Sequence, residues 1–431
     1  MIRVLIFFGF AFITLEASSQ QLTLDTAIAL AMKNNPGLMI SKNNVDIAGL
    51  NNNYGIAGGL PLVQGTSTAM QQITTIDQKY SNPLNNKNSS NAPSTNVGAG
   101  IAASVPVYAG GRIQNEAKRL GVVESQSRLQ YSSRAQTLIY NVMLKYYDIV
   151  RQQGYSRTLE ASIRASKQKL EIVKQQQSVG VANDADLFQA QVDLNTQVQS
   201  LIAQQLVVDQ DKTDLLALMI LNPDSVIVIQ DTILVDRNIK LDSILSAAYQ
   251  NADMQSAYEQ IRINQYLEKE VGASRYPAVS VDLGYNYSHA SNPKGFTILN
   301  QAYGPYVGLG LAIPIFNGGI YKRQQEIAGI NVNTSKLQKD TLMLNVQTTA
   351  IKNWQAYLSN LKQLESAKQN FDLSQKLLTL VLMRFQYKVA TIVDVTLAQQ
   401  SFESAGFQLV NTSYAAKAAE IQLRRLANQL P

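Results

Sequence analysis

The chain has 431 residues, of which 45% are hydrophobic and 16% are charged, and its formal net charge at pH 7 is +6. The 37 basic residues form no cluster with interleaved aromatic side chains, so nucleic-acid binding is not expected. The chain has no cysteine, which excludes disulfides, thiolate chemistry and lipid attachment through a cysteine.

The first 19 residues predict a secretory signal peptide. Arg3 gives a charged start, residues 4–15 form an apolar run, and Ala17 and Ser19 suit the small-residue positions of a cleavage site. That run is shorter than the roughly 18 to 20 apolar residues that a membrane-spanning helix needs, and no later stretch approaches this length. Any membrane crossing by the mature chain is therefore expected to use strands.

The rest of the sequence is duplicated. Two proline-free tracts, 106–223 and 314–431, each span 117 positions, and the second lies 208 residues after the first. At that offset "VPVYAGGR" at 105 aligns with "IPIFNGGI" at 313, and Asp186 aligns with Asp394. Such a match at a fixed offset predicts an internal structural repeat.

The repeat sets the predicted domain boundaries. We predict a first repeat over 20–223, a connector over 224–238 and a second repeat over 239–431. Upstream of the strands the offset becomes 217, so the first copy carries about nine extra residues. They are expected to lie in an exposed loop within the Asn/Ser-rich stretch 81–96.

Each repeat is expected to contribute two amphipathic strands. The four predicted strands cover approximately 60–75, 95–108, 277–290 and 303–316. In the third, alternate apolar side chains from Val279 to Tyr287 share one face, whereas Ser280, Asp282 and Asn286 fall on the other. We expect the polar face to meet water and the apolar face to meet lipid.

Two very long helices are predicted over 112–178 and 320–387, which contain no proline. At 1.5 Å per residue each would run roughly 100 Å. Five apolar residues recur at every seventh position of the second helix, which predicts a coiled-coil seam between long helices. They are Tyr357, Leu364, Phe371, Leu378 and Phe385.

Shorter return helices are expected at about 183–221 and 240–274.

Four strands cannot close a barrel, and open strand edges in lipid leave backbone groups unpaired. Three copies would supply about twelve strands, so the strand count favours an oligomer.

The whole mature chain resembles the TolC family of bacterial outer-membrane efflux and export channels. The resemblance rests on similar helix openings at Leu24 and Leu241, on the "VPVYAGGR" and "IPIFNGGI" junctions, and on two helical tips, "VGVANDADLFQAQ" at 179 and "KVATIVDVTLAQQ" at 388. It implies an α+β membrane protein in which a duplicated protomer contributes four strands to a trimeric, 12-stranded transmembrane β-barrel, continued by a long periplasmic α-helical coiled-coil barrel.

The resemblance also implies a function and partners. The expected function is that of an outer-membrane channel-tunnel in a tripartite efflux or type I secretion system, which gives substrates a passive exit. The implied partners are a periplasmic adaptor protein and an inner-membrane transporter of the resistance-nodulation-division, ABC or major facilitator type. The expected location is the cell outer membrane, with most of the helical part in the periplasm.

The matching tips place candidate site residues at the periplasmic aperture. Asp394 corresponds to a ring of carboxylates that lines the constriction in the family, although a helix-start aspartate stabilised by the helix dipole is the alternative interpretation. The other candidates at the two tips are Asp186, Asp184, Lys388, Phe385 and Gly180.

Several positions depart from the family pattern. Ala390 replaces an arginine that closes the aperture in some members, and Leu397 replaces a second acidic residue. Phe385 stands where tyrosine is common, and Lys388 stands where the first copy has Gly180. We therefore expect the resting aperture to be held by packing and by a different charge pair, with Lys388 as one candidate.

Two other classes of protein, an enzyme and a structural or adhesive protein, are alternatives to a channel. An enzyme is not indicated, because His289 is the only histidine and is interpreted as a loop residue, and no paired carboxylates suggest acid/base or metal chemistry. No cofactor is predicted. An exported coiled-coil structural or adhesive surface protein would explain the helices but not the four amphipathic strands.

Overall fold

The computed structural model describes residues 21–294 and 297–431, so the predicted signal peptide over 1–19 lies outside the described residues. Within these described residues the strands are β1 (Leu62–Gln78), β2 (Lys87–Ala109), β3 (Ala278–Ser291) and β4 (Leu299–Ala312). The α-helices described there are α1 (Leu24–Asn34), α2 (Pro36–Asn51), α3 (Arg112–Ser178), α4 (Asp184–Leu218), α5 (Leu241–Ala248), α6 (Ala252–Ala273), α7 (Ile320–Gln386) and α8 (Ile392–Leu426).

The predicted duplication is confirmed by the lengths of the helices. The two long helices α3 and α7 each have 67 residues, and the helices that follow them, α4 and α8, each have 35. In the described part of the chain, no helix is both long enough and apolar enough to cross a membrane.

The chain forms two compact units that cut across the two repeats. One unit contains the described residues up to Met39 together with Ser133–Asn251 and Asn345–Pro431. The other, the strand-bearing unit, contains Ile40–Ser132 and Ala252–Leu344. Each repeat therefore contributes to both units, because α3 and α7 run from one into the other.

The strands form one antiparallel sheet in the order β1-β2-β3-β4. Val281 of β3 pairs with Val105 of β2 and with Leu309 of β4, so the apolar residues of neighbouring strands fall on the same face. The register thereby extends the alternation seen in the sequence of β3 across the sheet. Both β1 and β4 are edge strands of this sheet.

The predicted strand boundaries differ from the structure most at β2 and at β4, which begins and ends four residues earlier than predicted. The Asn/Ser-rich stretch 81–96 is mostly strand, because β2 begins at Lys87 and pairs with β1 as far as Gln78. Its polar composition suggested a loop, but residues 87–94 are held as a strand by pairing with β1 and bury only Ala92 and Ser94, so they have no need of apolar alternation. At the other end β4 stops at Ala312, before Pro314, which cannot donate a ladder hydrogen bond.

The strand prolines occupy positions that tolerate a missing N–H. Pro106 lies at a register shift in the β2–β3 pairing, and Pro305 lies in the edge strand β4. Pro93 pairs with Ile73 of β1. It precedes Thr95, the first residue of β2 that pairs with β3, so β2 is an edge strand at Pro93. Each proline therefore stands at an edge or an irregularity, as expected.

The helical differences from prediction are small. The helix expected over 240–274 is broken into α5 and α6 by the turn around Gln250, and the opening helix is followed by a second, α2, which starts at Pro36. Proline is well suited to a first helical position, because the N–H it lacks would have no partner there.

The predicted seam of α7 is confirmed. Tyr357, Leu364, Leu378 and Phe385 are buried, and the ring of half-buried Phe371 lies 5.4 Å from that of Phe402 in α8. Trp354 stacks on Tyr357 at 5.5 Å and packs in the cluster around Leu423. These aromatic residues hold helices together.

Candidate functional site at the two helical turns

Two turns join the long helices to the helices that follow them, α3 to α4 and α7 to α8. Gly180 closes the first with a φ of +76°, and the N–H of Val181 donates to the carbonyl oxygen of Gln176 at 2.8 Å. In the second turn, the N–H of Val389 donates to the carbonyl oxygen of Arg384, also at 2.8 Å. Both long helices therefore end in the same type of C-terminal cap.

Lys388 occupies the position of Gly180 in the second turn and has a φ of +63°. This left-handed conformation costs a residue with a Cβ about 1 kcal/mol, whereas glycine adopts it without strain. The side chain of Lys388 is exposed, and among the described residues its ammonium has no ion-pair partner in its own protomer.

The following helices begin with matching capping boxes. In α4 the N–H of Asp186 donates to the side chain of Asn183 at 2.9 Å, and Asp186 accepts from the N–H of Asn183 at 3.4 Å. In α8 the N–H of Asp394 donates to Thr391 Oγ1 at 3.2 Å, and Asp394 accepts from the N–H of Thr391 at 2.8 Å. The two aspartates of the predicted site thus have the same structural role.

Asp394 combines this role with an exposed carboxylate. Hydrogen bonds from the backbone and hydroxyl of Thr391, with a contribution from the nearby charge of Arg384, lower the pKa of Asp394 below its usual value. Both of those bonds go to Oδ2. Oδ1 makes no hydrogen bond to the described residues, so the ionised group can meet cations while it caps the helix.

Asp184 and Asp186 lie in the first turn. The exposed carboxylate of Asp184 accepts a hydrogen bond of 2.6 Å from Gln177 Nε2, which links the last turn of α3 to the start of α4. Asp186 is half-buried. Both carboxylates lie at the N-terminus of α4, where the helix dipole favours negative charge.

Phe385 lies in the core of the tip and not on its surface. It packs in one cluster with Leu382, Val395 and Phe402, and half-buried Ala390 packs against the same cluster. The carbonyl oxygen of Phe385 accepts a hydrogen bond from Gln176 Nε2 at 3.1 Å. Phe385 therefore shapes the tip through packing.

A buried polar network near the tips was not predicted. The side chain of Lys169 in α3 is 0% exposed, pairs with Asp193 of α4, and donates to Thr396 Oγ1 of α8 at 3.2 Å. Three residues further along α8, less than one turn, Gln399 donates to Ser162 Oγ and Ser166 Oγ of α3 at 2.5 and 2.8 Å. Ser162, Ser166 and Lys169 are spaced by four and three residues, so they lie on one side of α3. This spacing is the sequence signal from which the network could have been predicted.

The strand residues of the predicted site share one face of the sheet. Asp282 accepts hydrogen bonds from Ser104 Oγ at 2.7 Å and from Ser280 Oγ at 3.2 Å. Asn286 is exposed and lies opposite Gly100 and Gly304. His289 lies within β3, opposite Val97 and Gln301, and not in a loop as predicted.

Comparison with known proteins identifies the family. The profile of the outer membrane efflux protein family matches residues 27–219 and 244–429, which together make up most of the chain. No curated protein matches the chain significantly by sequence.

Solved structures share the fold at low sequence identity. The outer membrane protein VceC from Vibrio cholerae is 16% identical, with a TM-score of 0.77 over 94% of this chain and 96% of its own. The CmeC outer membrane channel from Campylobacter jejuni is 17% identical, with a TM-score of 0.77 over 94% of this chain and 85% of its own. A membrane protein from Pseudomonas aeruginosa is 15% identical, with a TM-score of 0.79 over 96% of this chain and 94% of its own.

These comparisons confirm the resemblance to the TolC family and the α+β duplicated protomer, and they give no support to a structural or adhesive surface protein. The family consists of outer-membrane channel proteins and not of enzymes. The chain therefore belongs to the outer membrane efflux protein family and is an outer-membrane efflux channel protein, with its helical part in the periplasm, that assembles with efflux-pump components.

Proposed function

We propose that three copies of this chain close into one channel, to which each copy gives four strands of a twelve-stranded barrel in the outer membrane. The observation that carries the proposal is the sheet itself, in which β1 and β4 each keep an unpaired edge. In lipid, each unpaired backbone group costs several kcal/mol. Four strands are also too few for a closed barrel, which needs about eight or more.

The two faces of the sheet support this arrangement. On the apolar face Val307 is 75% exposed and Leu309 is 81% exposed in the single chain. Contiguous apolar surface of this kind requires a lipid or protein environment. The opposite face carries Ser280, Asp282 and Asn286, which would line the lumen.

A pair of lysine substitutions tests the barrel. Val281→Lys places a charge on the apolar face, where a lysine at the bilayer midplane costs about 2–4 kcal/mol, so the yield of folded channel in the outer membrane should fall. Ser280→Lys places the same charge on the polar face and should leave the yield unchanged while it shifts the ion selectivity in planar bilayers towards anions. Equal losses from both variants would contradict the proposed faces.

The tips are the proposed docking end for a periplasmic adaptor, which would connect the channel to an inner-membrane transporter of the resistance-nodulation-division, ABC or major facilitator type. Large apolar side chains are exposed around both turns, which is unusual for a surface that meets only water. They are Val179, Val181, Phe188, Tyr387, Val389, Val393 and Leu397.

Three copies of Asp394 would form an acidic collar at the aperture between the tips. The exposed, ionised carboxylate supports this role, because a ring of acidic side chains favours cations. Asp394→Asn should reduce the preference for cations in single-channel recordings, whereas Asp186→Asn, which changes the other capping box, should change it less. An unchanged preference in Asp394→Asn would contradict the collar.

The channel is proposed to be a passive duct that catalyses no reaction, with the energy for export supplied by the transporter. Purified channel in vesicles should therefore let ions move only down their gradient.

A further inference from the structure

The polar face of the sheet is built mostly from small or neutral side chains. Where the described residues are paired across all four strands, this face carries one charged side chain, Asp282 of β3, and one aromatic side chain, Tyr306 of β4. Most other positions there hold glycine, alanine, serine, threonine or asparagine. The carboxylate and the ring are therefore the two features of this face that could select a ligand.

Asp282 and Tyr306 are close neighbours on that face. Tyr306 pairs with Gly284, which lies two residues from Asp282 on the same side of β3. Such diagonal neighbours in an antiparallel pair are about 7–8 Å apart, which is within reach of aromatic and long side chains. One small ligand can therefore contact the carboxylate and the ring together.

Glycines leave space around both groups. A Cβ placed on Gly284 would lie 2.6 Å from Cε1 of Tyr306, so the ring lies over the backbone of β3 where a larger residue would exclude it. A Cβ placed on Gly308, which pairs with Asp282, would meet only the carbonyl oxygen of Asp282, at 4.0 Å. Above Gly308 there is thus a shallow depression that the chain's own side chains do not fill.

Two serines hold the carboxylate of Asp282 in place. Ser104 Oγ donates to Oδ1 at 2.7 Å, and Ser280 Oγ donates to Oδ2 at 3.2 Å. A carboxylate can accept more than these two hydrogen bonds. Among the described residues no basic side chain pairs with Asp282, so its charge is not neutralised within the protomer.

The ring of Tyr306 adds a second attraction for positive charge. Tyr306 is 39% exposed, so part of its ring stays accessible. The face of an aromatic ring attracts cations and is well suited to quaternary ammonium groups, and the ring also offers apolar contact. A carboxylate beside such a ring is therefore suited to an organic cation that carries apolar substituents.

We infer that Asp282 and Tyr306 form a low-affinity site for organic cations on the channel wall of each protomer. The inference rests on the proposed trimer, which turns this face towards the lumen, and deepens it by naming a class of substrate that the wall would contact. The cation lies above Gly308, between the carboxylate and the ring. Weak binding suits a duct, because a substrate must be able to leave each site that it enters.

Partial block of the ion current tests the site. Benzyltrimethylammonium is added to the barrel side of the reconstituted trimer in a planar bilayer, and neutral benzyl alcohol serves as the comparison compound. The cation should reduce the current reversibly at millimolar concentrations, whereas benzyl alcohol should not. Tyr306→Leu should raise the half-blocking concentration about two- to fivefold, the range expected for loss of an exposed cation–π contact.

Matched variants separate the carboxylate, the ring and the aperture. Asp282→Asn should weaken the block at least as much as Tyr306→Leu, whereas Tyr306→Phe keeps the ring and should retain the block. Ser288→Ala changes another side chain of the same face, opposite Ala302, and should also retain it. A block that Asp394→Asn removes and Asp282→Asn preserves would place the cation at the tips and overturn the site.

The block is read together with the oligomeric state and conductance of each variant. Trimeric, conducting channels in which neither Asp282→Asn nor Tyr306→Leu weakens the block would overturn the site and leave the proposed function intact, as would a parent channel that the cation does not block. If Asp282→Asn does not assemble, the comparison of Tyr306→Leu with Tyr306→Phe decides, because both keep the carboxylate. Parent protein that is monomeric and does not conduct would defeat the proposed function itself, and the site with it.

Discussion

At the level of single residues, the two turns differ most at the position held by Gly180 in one and by Lys388 in the other. Lys388→Gly removes a left-handed lysine and should stabilise the α7–α8 turn by about 1 kcal/mol. Hydrogen exchange of the amides at 385–391 should become slower.

The reverse change at the first turn is the matched control. Nothing lies within 4 Å of a Cβ placed at Gly180, so Gly180→Ala would act through the backbone alone. It should speed exchange at the α3–α4 turn by a comparable factor. If Lys388→Gly speeds exchange at its own turn, the lysine must make a stabilising contact in the assembled channel that outweighs its backbone strain.

The depressed pKa of Asp394 predicts a pH-dependent start of α8. A carboxyl group whose pKa is lower in the folded protein stabilises the fold above its unfolded pKa of about 4, and this contribution is lost as the pH falls through the lower, folded value. Asp394→Asn should therefore speed hydrogen exchange in the first turn of α8 at pH 7. The difference from the parent protein should disappear in acid, once Asp394 is protonated in both states.

Asp186→Asn provides the spatial control for that experiment. It removes the equivalent carboxylate from the capping box of α4, so its effect should appear at the start of α4 and not at α8. A difference at α8 that persists unchanged in acid, where Asp394 is protonated, would show that the negative charge of Asp394 is not the stabilising feature.

The sequence predicted the residues at the tips better than their roles. Gly180 and the aspartates could be found because turns and caps depend on local chemistry. Phe385 was predicted both in the seam of α7 and at the aperture; its burial confirms the seam, and its role at the aperture stays a prediction. Lys169 escaped prediction because its burial depends on how α3 packs against α4 and α8, whereas a lysine in a long polar helix is usually exposed.

At the level of helices and strands, prediction again succeeded where the local sequence determines the structure and failed where pairing with another strand determines it. The long helices were predicted to within one residue because a pair of glycines precedes each of them, Gly180 follows α3, and the repeat carries that boundary over to the end of α7. The strand Lys87–Ala109 was partly missed because its first residues pair only with β1 and are mostly polar, so the sequence shows no apolar alternation there.

The buried pair between Lys169 and Asp193 predicts a strong effect of a single substitution. Asp193→Asn would leave a fully buried ammonium without its carboxylate, and loss of one partner of such a pair typically costs about 3–5 kcal/mol. The free energy of unfolding should fall accordingly, and limited proteolysis near the tips should become faster.

Two comparisons separate this effect from general damage. Replacing both partners, Lys169→Met with Asp193→Leu, should recover most of the loss, because no unpaired charge remains. Glu171→Gln removes the partner of Lys174, 2.9 Å away in an exposed pair, and should cost less than about 1 kcal/mol. If Asp193→Asn is equally mild, water must reach the ammonium of Lys169.

At the level of the whole molecule, the β1–β2 hairpin is longer than the sheet to which it belongs. β1 and β2 remain paired as far as Gln78 and Lys87, whereas β2 pairs with β3 only as far as Thr95. Residues 87–94 therefore form a two-stranded ribbon with part of β1. Since the ribbon has no pairing to β3, it is not expected to form part of the barrel wall.

Shortening the ribbon should consequently leave the channel intact. Ile76 and Ser89 are paired, so replacing residues 77–88 by Asn-Gly would give a two-residue hairpin loop of a favoured type. The amount of trimer in the outer membrane and the single-channel conductance should match those of the parent protein. Replacing residues 67–99 in the same way removes most of the β1–β2 pairing together with part of the β2–β3 pairing, and it should abolish both. A loss of conductance in the shorter deletion would mean that the ribbon folds into the lumen or pairs with a neighbouring protomer, and the wall would then extend beyond the sheet seen in one chain.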